Sequence, residues 1–104
     1  MQAASDLTTY VIRRRSEWSS PEALRAAAAR SADVGDNEMS SDIRWIRSYD
    51  VAEPDGSLGT VCIYQASSQE KIREHAFRAD LPADEIFEVV DTVILRPDPL
   101  KLAA

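Results

Sequence analysis

A chain of 104 residues, 44% of them hydrophobic and 29% charged, suits one globular domain and is too short for two ordinary ones. Its 18 acidic against 12 basic residues leave a formal charge of −6, which argues against nucleic acid as a partner because phosphate binding needs a basic surface. The single cysteine, Cys62, excludes an intramolecular disulfide; with no signal peptide and no apolar run of membrane-spanning length in view, the expectation is a cytoplasmic protein.

Residues 1–6 are small and polar and are expected to form a flexible N-terminus. Residues 7–12, Leu-Thr-Thr-Tyr-Val-Ile, are β-branched and aromatic and predict a strand. The triplet Arg13-Arg14-Arg15 follows at the end of that run and reads as a solvated strand end, not a phosphate clamp. Ser20-Pro21-Glu22 opens a helix, with Ser20 as N-cap, Pro21 in the first turn and Glu22 facing the positive end of the dipole. Leu24, Ala27, Ala28 and Val34 fall near helical spacing, and the alanines at 26–29 allow close packing; Gly35 with Asp36 and Asn37 predicts the stop.

Residues 42–51 alternate, with Ile43, Trp45, Arg47, Tyr49 and Val51 on one face and Ile46 as an apolar exception on the polar side. Pro54-Asp55-Gly56-Ser57 is turn chemistry, and residues 59–65 return as the second strand of a hairpin. Ser67 and Glu70 read as a capping box for a helix over 69–78, which carries Ile72 and Ala76 inward, flanked by His75 or Phe77. Residues 86–95 form a last strand that is apolar on both faces, and Pro97 and Pro99 close the domain and begin a tail over 97–104.

The predicted order βαββαβ over residues 7–96 is an α+β, ferredoxin-like plan, with two helices on one face of a four-stranded antiparallel sheet. Those helices cover only one face, so the apolar last strand predicts a homodimer that buries the open sheet faces against each other.

The segments Ile43-Arg44-Trp45-Ile46-Arg47-Ser48-Tyr49 and Val61-Cys62-Ile63-Tyr64-Gln65-Ala66, with Lys71-Ile72-Arg73-Glu74-His75-Ala76 and Leu81-Pro82-Ala83-Asp84-Glu85-Ile86-Phe87-Glu88-Val89, resemble a family of small bacterial proteins. It was formerly a domain of unknown function and includes an actinobacterial nickel-binding protein. The resemblance implies a dimeric ferredoxin-like sandwich and a divalent metal such as nickel, with histidine ligands. His75, the one imidazole here, is the implied metal ligand. The strand over 10–14 has no histidine where the nickel binders are expected to have one. Arg47 stands where many relatives are expected to carry another, and a guanidinium is no ligand. A nickel site would therefore have to assemble across a dimer interface from His75, Cys62 and carboxylates.

Trp45, Arg47, Tyr49 and Tyr64, with Cys62, fall at alternate positions of the hairpin and could form an aromatic patch on one face. Read as a site, Arg47 and His75 sit in or beside an aromatic-lined ligand pocket under the second helix. Read as packing, Trp45, Tyr49, Tyr64 and Cys62 are core, His75 is a hydrogen-bonded boundary residue, and Glu85, Glu74 or Asp91 pairs with Arg47. Asp80, Asp84, Glu85 and Glu88 read as a solvated acidic end. No nucleophile arrangement, glycine-rich phosphate loop or paired-cysteine spacing is present.

The leading functional expectation is a non-catalytic dimer that binds a small ligand or a metal ion, with no catalytic residue assigned. The alternatives are a cofactor-free oxygenase or isomerase of the dimeric α+β barrel kind, using His75 or Tyr49, and a purely structural accessory subunit.

Overall fold

The computed structural model describes residues 7–99, so the expected N-terminal segment 1–6 and the last five residues of the expected tail lie outside it. The elements run β1 (Thr8–Trp18), α1 (Pro21–Asp33), β2 (Ile43–Ala52), β3 (Leu58–Ala66), α2 (Gln69–Ala79) and β4 (Glu85–Glu88). The sheet order is β2-β3-β1-β4 with all neighbours antiparallel. This is the ferredoxin-like sandwich that the hydrophobic pattern predicts.

Register assigns the faces. Tyr10, Ile12 and Arg14 on β1 lie opposite Tyr64, Cys62 and Thr60 on β3. All six are buried, so this is the face beneath the helices. Ile43, Tyr64, Ala66, Ile72 and Ala79 complete the main core, and Trp18, Leu24 and Ala27 form a second cluster at the start of α1. Val11, Val61 and Ile63 alternate onto the open face.

The helix caps follow local chemistry. Ser20 accepts the Ala23 amide, and Pro21 occupies the first turn. At α2 the N-cap is Ser68, not Ser67: Ser68 accepts the Lys71 amide, while Ser67 donates to Asp42 and ties the end of β3 to the start of β2. Lys71 then holds the third helical position, so the expected reciprocal box with Glu70 does not form. Gly35 does not stop the first helix either. The chain continues through a wide turn over Val34–Glu38, closed by the Met39 amide on the Val34 carbonyl, which is an i to i+5 bond.

Two strand irregularities reshape the expected pattern. In β2, Trp45 pairs with Tyr64 but Arg47 pairs with Ile63, leaving Ile46 as an extra, bulged residue. The bulge reverses the alternation beyond it. Ser48 and Asp50 therefore turn toward the helices, and Arg47, Tyr49 and Val51 turn to the open face. In β1 the ladder breaks between Arg14 and Trp18, where Ser16 adopts a left-handed φ of 52° and its amide donates to Glu53.

The last strand is much shorter than expected. Only four residues pair with β1, from Glu85 opposite Arg13 to Glu88 opposite Tyr10, and one more bond joins the Val89 amide to Thr9. From residue 90 the chain leaves the sheet as an arm, with Val90, Val93, Ile94 and Leu95 exposed. Asp98 then accepts hydrogen bonds from Arg47 and Tyr49 of β2. Leaving the ladder is consistent with an apolar run that alternates into neither face of its own protomer.

Candidate functional site

Beneath α1, the helix face of the sheet carries a cleft lined by Arg14, Trp18, Ala27, Trp45, Thr60 and Leu81, among others. The free space is about 30 Å³, room for one or two water-sized groups. Both strand irregularities border it. The break in β1 lies between Arg14 and Trp18, and the bulge in β2 turns Ser48 and Asp50 toward it. Small side chains at Ala27 and Ala28 of α1 leave the volume open.

Arg14 is the dominant group. It is 3% exposed, and its Nε donates to the Pro82 carbonyl at 2.7 Å while one terminal nitrogen contacts the Cys62 sulfur at 3.6 Å. The other terminal nitrogen, Nη2, is buried without a hydrogen-bond partner, and so is the hydroxyl of Thr60 directly across the ladder. Among the described residues no carboxylate pairs with this guanidinium, although the exposed Asp50 lines the cleft opposite Thr60 in the β2–β3 register. Buried cations are ordinarily paired, so an uncommitted donor at this depth marks the site.

The two neighbouring arginines behave differently. Arg13, on the open face, binds both carboxylate oxygens of Glu53 at 3.0 Å, and Arg15 pairs with Glu85. The Ser16 amide and the Arg13 guanidinium hold the Glu53 carboxyl below its ordinary range. The expected solvated strand end thus resolves into two ion pairs and one buried cation.

The residues singled out in the sequence are divided between the two faces. Trp45 stacks on Tyr64, with ring centroids 5.9 Å apart and nearly parallel planes, and its indole donates to Ser48 across the bulge. Tyr64 packs against His75 and shares a hydrogen bond with Ser31 of α1. Burial pushes the Tyr64 phenol up to about 12. His75 lies beside the cleft and not in its wall. Its Nε2 donates to the Ser31 carbonyl at 3.0 Å, and burial, with a smaller contribution from the Arg14 charge, lowers its pKa. Arg47 and Tyr49 are on the opposite face with Asp98, where Tyr49 and Arg47 lower the Asp98 pKa. Alternation alone places Trp45, Arg47 and Tyr49 on one face of β2; the Ile46 bulge separates Trp45 from the other two.

Arg14, Thr60, Trp18 and Asp50 escaped the sequence reading. The available signal was parity, since Tyr10, Ile12 and Arg14 share one face of β1 and the first two are core.

Residues 10–89 match the family described as "Nickel responsive protein SCO4226-like". The chain belongs to this family. The solved structure of SCO4226 from Streptomyces coelicolor A3(2) aligns with a TM-score of 0.65 at 21% identity, covering 82% of this chain and 99% of that one, a likeness of fold. A search of curated protein sequences returns no significant match. Among the described residues no helix is long and apolar enough to cross a membrane.

The family description raises nickel, and the donors here do not fit it within one protomer. Among the described residues no group of three or more His, Cys, Asp or Glu stands close enough to hold an ion. The His75 Nε2 is committed to Ser31, and the Cys62 sulfur faces a guanidinium, which would repel a metal cation.

Proposed function

We propose that this family member is a non-catalytic, dimeric binding protein whose ligand enters the cleft beneath α1. The observation that carries the reading is the buried Arg14 guanidinium, with its uncommitted Nη2, in the lining of a cleft that Trp18 and Trp45 also line. Function accounts for a polar donor held in a costly position. The titrating groups nearby support binding over catalysis. His75 is tied to a backbone carbonyl, and Tyr64 keeps its proton to about 12. Among the five candidates, Trp45 and Tyr64 border the ligand directly, His75 fixes Tyr64 and α1 behind it, and Arg47 and Tyr49 serve the dimer face.

Dimerisation through the open face is supported by its composition. Val11, Val61, Ile63 and Phe87 lie there unprotected by helices, beside an arm whose Val93, Ile94 and Leu95 lack cover in their own protomer. The arm and the Arg47–Tyr49 pair bound a second opening of about 830 Å³, which a partner's apolar residues can enter.

The test is a set of amide and indole NMR spectra recorded with a panel of small neutral and charged organic molecules. Shifts gathered at Trp18, Trp45 and Thr60 support the cleft; an unchanged cleft across the panel overturns it.

Family membership favours a second reading, nickel association with donors from two copies. Native mass spectrometry after nickel addition decides it: a retained ion that is lost in His75→Ala supports nickel, and an unchanged mass eliminates it.

A further inference from the structure

The cleft also specifies the chemistry of what it takes. Arg14 and Thr60 line it, and at opposed positions of one ladder each buries an unpartnered polar atom, Arg14 Nη2 and the Thr60 hydroxyl, which a ligand reaches only by a small shift of these side chains. Its walls are mainly apolar, with Trp18, Leu24, Ala27, Trp45 and Leu81, and Ser48 and Asp50 add polar groups from β2. A carboxylate accepts from a guanidinium and a hydroxyl at once, and its bond to the guanidinium is charge-assisted. One buried cation balances one negative charge. A phosphate dianion would leave its second charge in a mainly apolar lining, with the Asp50 carboxylate of that lining opposing it. The enclosed space of about 30 Å³ is filled by a carboxylate head alone, so any chain behind it has to be short and to lie in the open mouth of the cleft.

We propose that the cleft between α1 and the sheet binds a small organic monocarboxylate, its head held by Arg14 and Thr60 and its short tail lying against Trp18 and Trp45. This rests on the binding reading above and adds the ligand's charge and class. The competing partner for Arg14 is Asp50, which exposure leaves free to turn inward; no ion pair joins the two in the structure.

Calorimetric titration with butyrate, butyramide and inorganic phosphate tests the proposal. Butyramide keeps the size and shape of butyrate and removes its charge. The expected result is one site per chain, with butyrate about tenfold or more tighter than butyramide or phosphate, the worth of one charge-assisted hydrogen bond. Arg14→Met abolishes that preference in a protein with an unchanged circular dichroism spectrum. Thr60→Val, which keeps Arg14 and the side-chain shape, weakens butyrate severalfold, and Asp50→Asn leaves binding equal or tighter. Equal binding of butyramide and butyrate overturns the carboxylate and leaves the binding reading standing. Tighter phosphate replaces the carboxylate with an inorganic oxyanion, and butyrate binding that appears only in Asp50→Asn makes Asp50 the true partner. Either result overturns the proposal. Should no probe bind, the carboxylate class falls, and the NMR panel separately decides whether the cleft binds anything.

Discussion

Arg14 and Thr60 face each other across β1 and β3, both buried, and each ends in a polar atom with no hydrogen-bond partner. Elsewhere the sheet commits such groups: Arg13 has Glu53, Tyr64 has Ser31, and Trp45 has Ser48. The exception falls where two strands break their regular ladder, which is the position at which a ligand is proposed.

Removing the cation is expected to relieve the fold. Arg14→Met fills similar volume without the charge, at the loss of the bond to the Pro82 carbonyl. The expected gain is about 1 kcal/mol, roughly 4–8 °C in Tm for a domain of this size. Thermal melts of the two proteins measure it; a lower Tm for the variant contradicts a penalty at this position.

Stability is expected to change at two pH windows away from the carboxylates. The pKa of His75 is lowered in the folded state, so the unfolded chain binds more protons below the ordinary value of 6.5. Its contribution is full above that pH and is lost as pH falls through the folded value. The Tyr64 pKa is raised, so its contribution is full below 10 and is lost as pH rises toward about 12. Urea midpoints followed from pH 5 to pH 11 should fall at both ends. His75→Gln should flatten only the acid side, and Tyr64→Phe only the alkaline side.

Gly59 is fixed by close approach. A Cβ there would press on the Arg14 carbonyl oxygen and on the Glu53 carboxylate that Arg13 and Ser16 hold. The backbone oxygen cannot retreat without opening the β1–β3 ladder beside the cleft. Gly59→Ala should therefore cost about 1–3 kcal/mol by chemical denaturation. A neutral substitution would show that this corner of the sheet is slack.

Phe87 projects from β4 onto the open face opposite Val11 and is 55% exposed in a single copy. Phe87→Lys places a charge where two sheets are proposed to meet. Sedimentation should show a dimer for the native chain and a monomer for the variant, with helix content unchanged. A native monomer at all concentrations would contradict the dimer.

The architecture was legible because β-branched runs, Ser20-Pro21 and the hairpin turn each carry a local cause. The site was less legible because its placement depends on a parity change. Ile46 reads as an exception to alternation in sequence and proves to be the bulged residue, so Arg47 and Tyr49 leave the face that Trp45 keeps. Arg14 hides in a basic triplet whose members have three environments, and only the register with Thr60 separates them. The overlong last strand has a similar origin. Its apolar run satisfies strand propensity throughout, yet pairing stops at Glu88 and leaves the remainder to the arm.

A crystal structure of the protein grown with butyrate tests most directly whether the Arg14 cleft is the functional site. The expected result is a carboxylate within hydrogen-bonding distance of both Arg14 Nη2 and the Thr60 hydroxyl, with the butyrate tail against Trp18 and Trp45. An Asp50 carboxylate turned inward onto those two donors, with butyrate bound elsewhere or not at all, would contradict it.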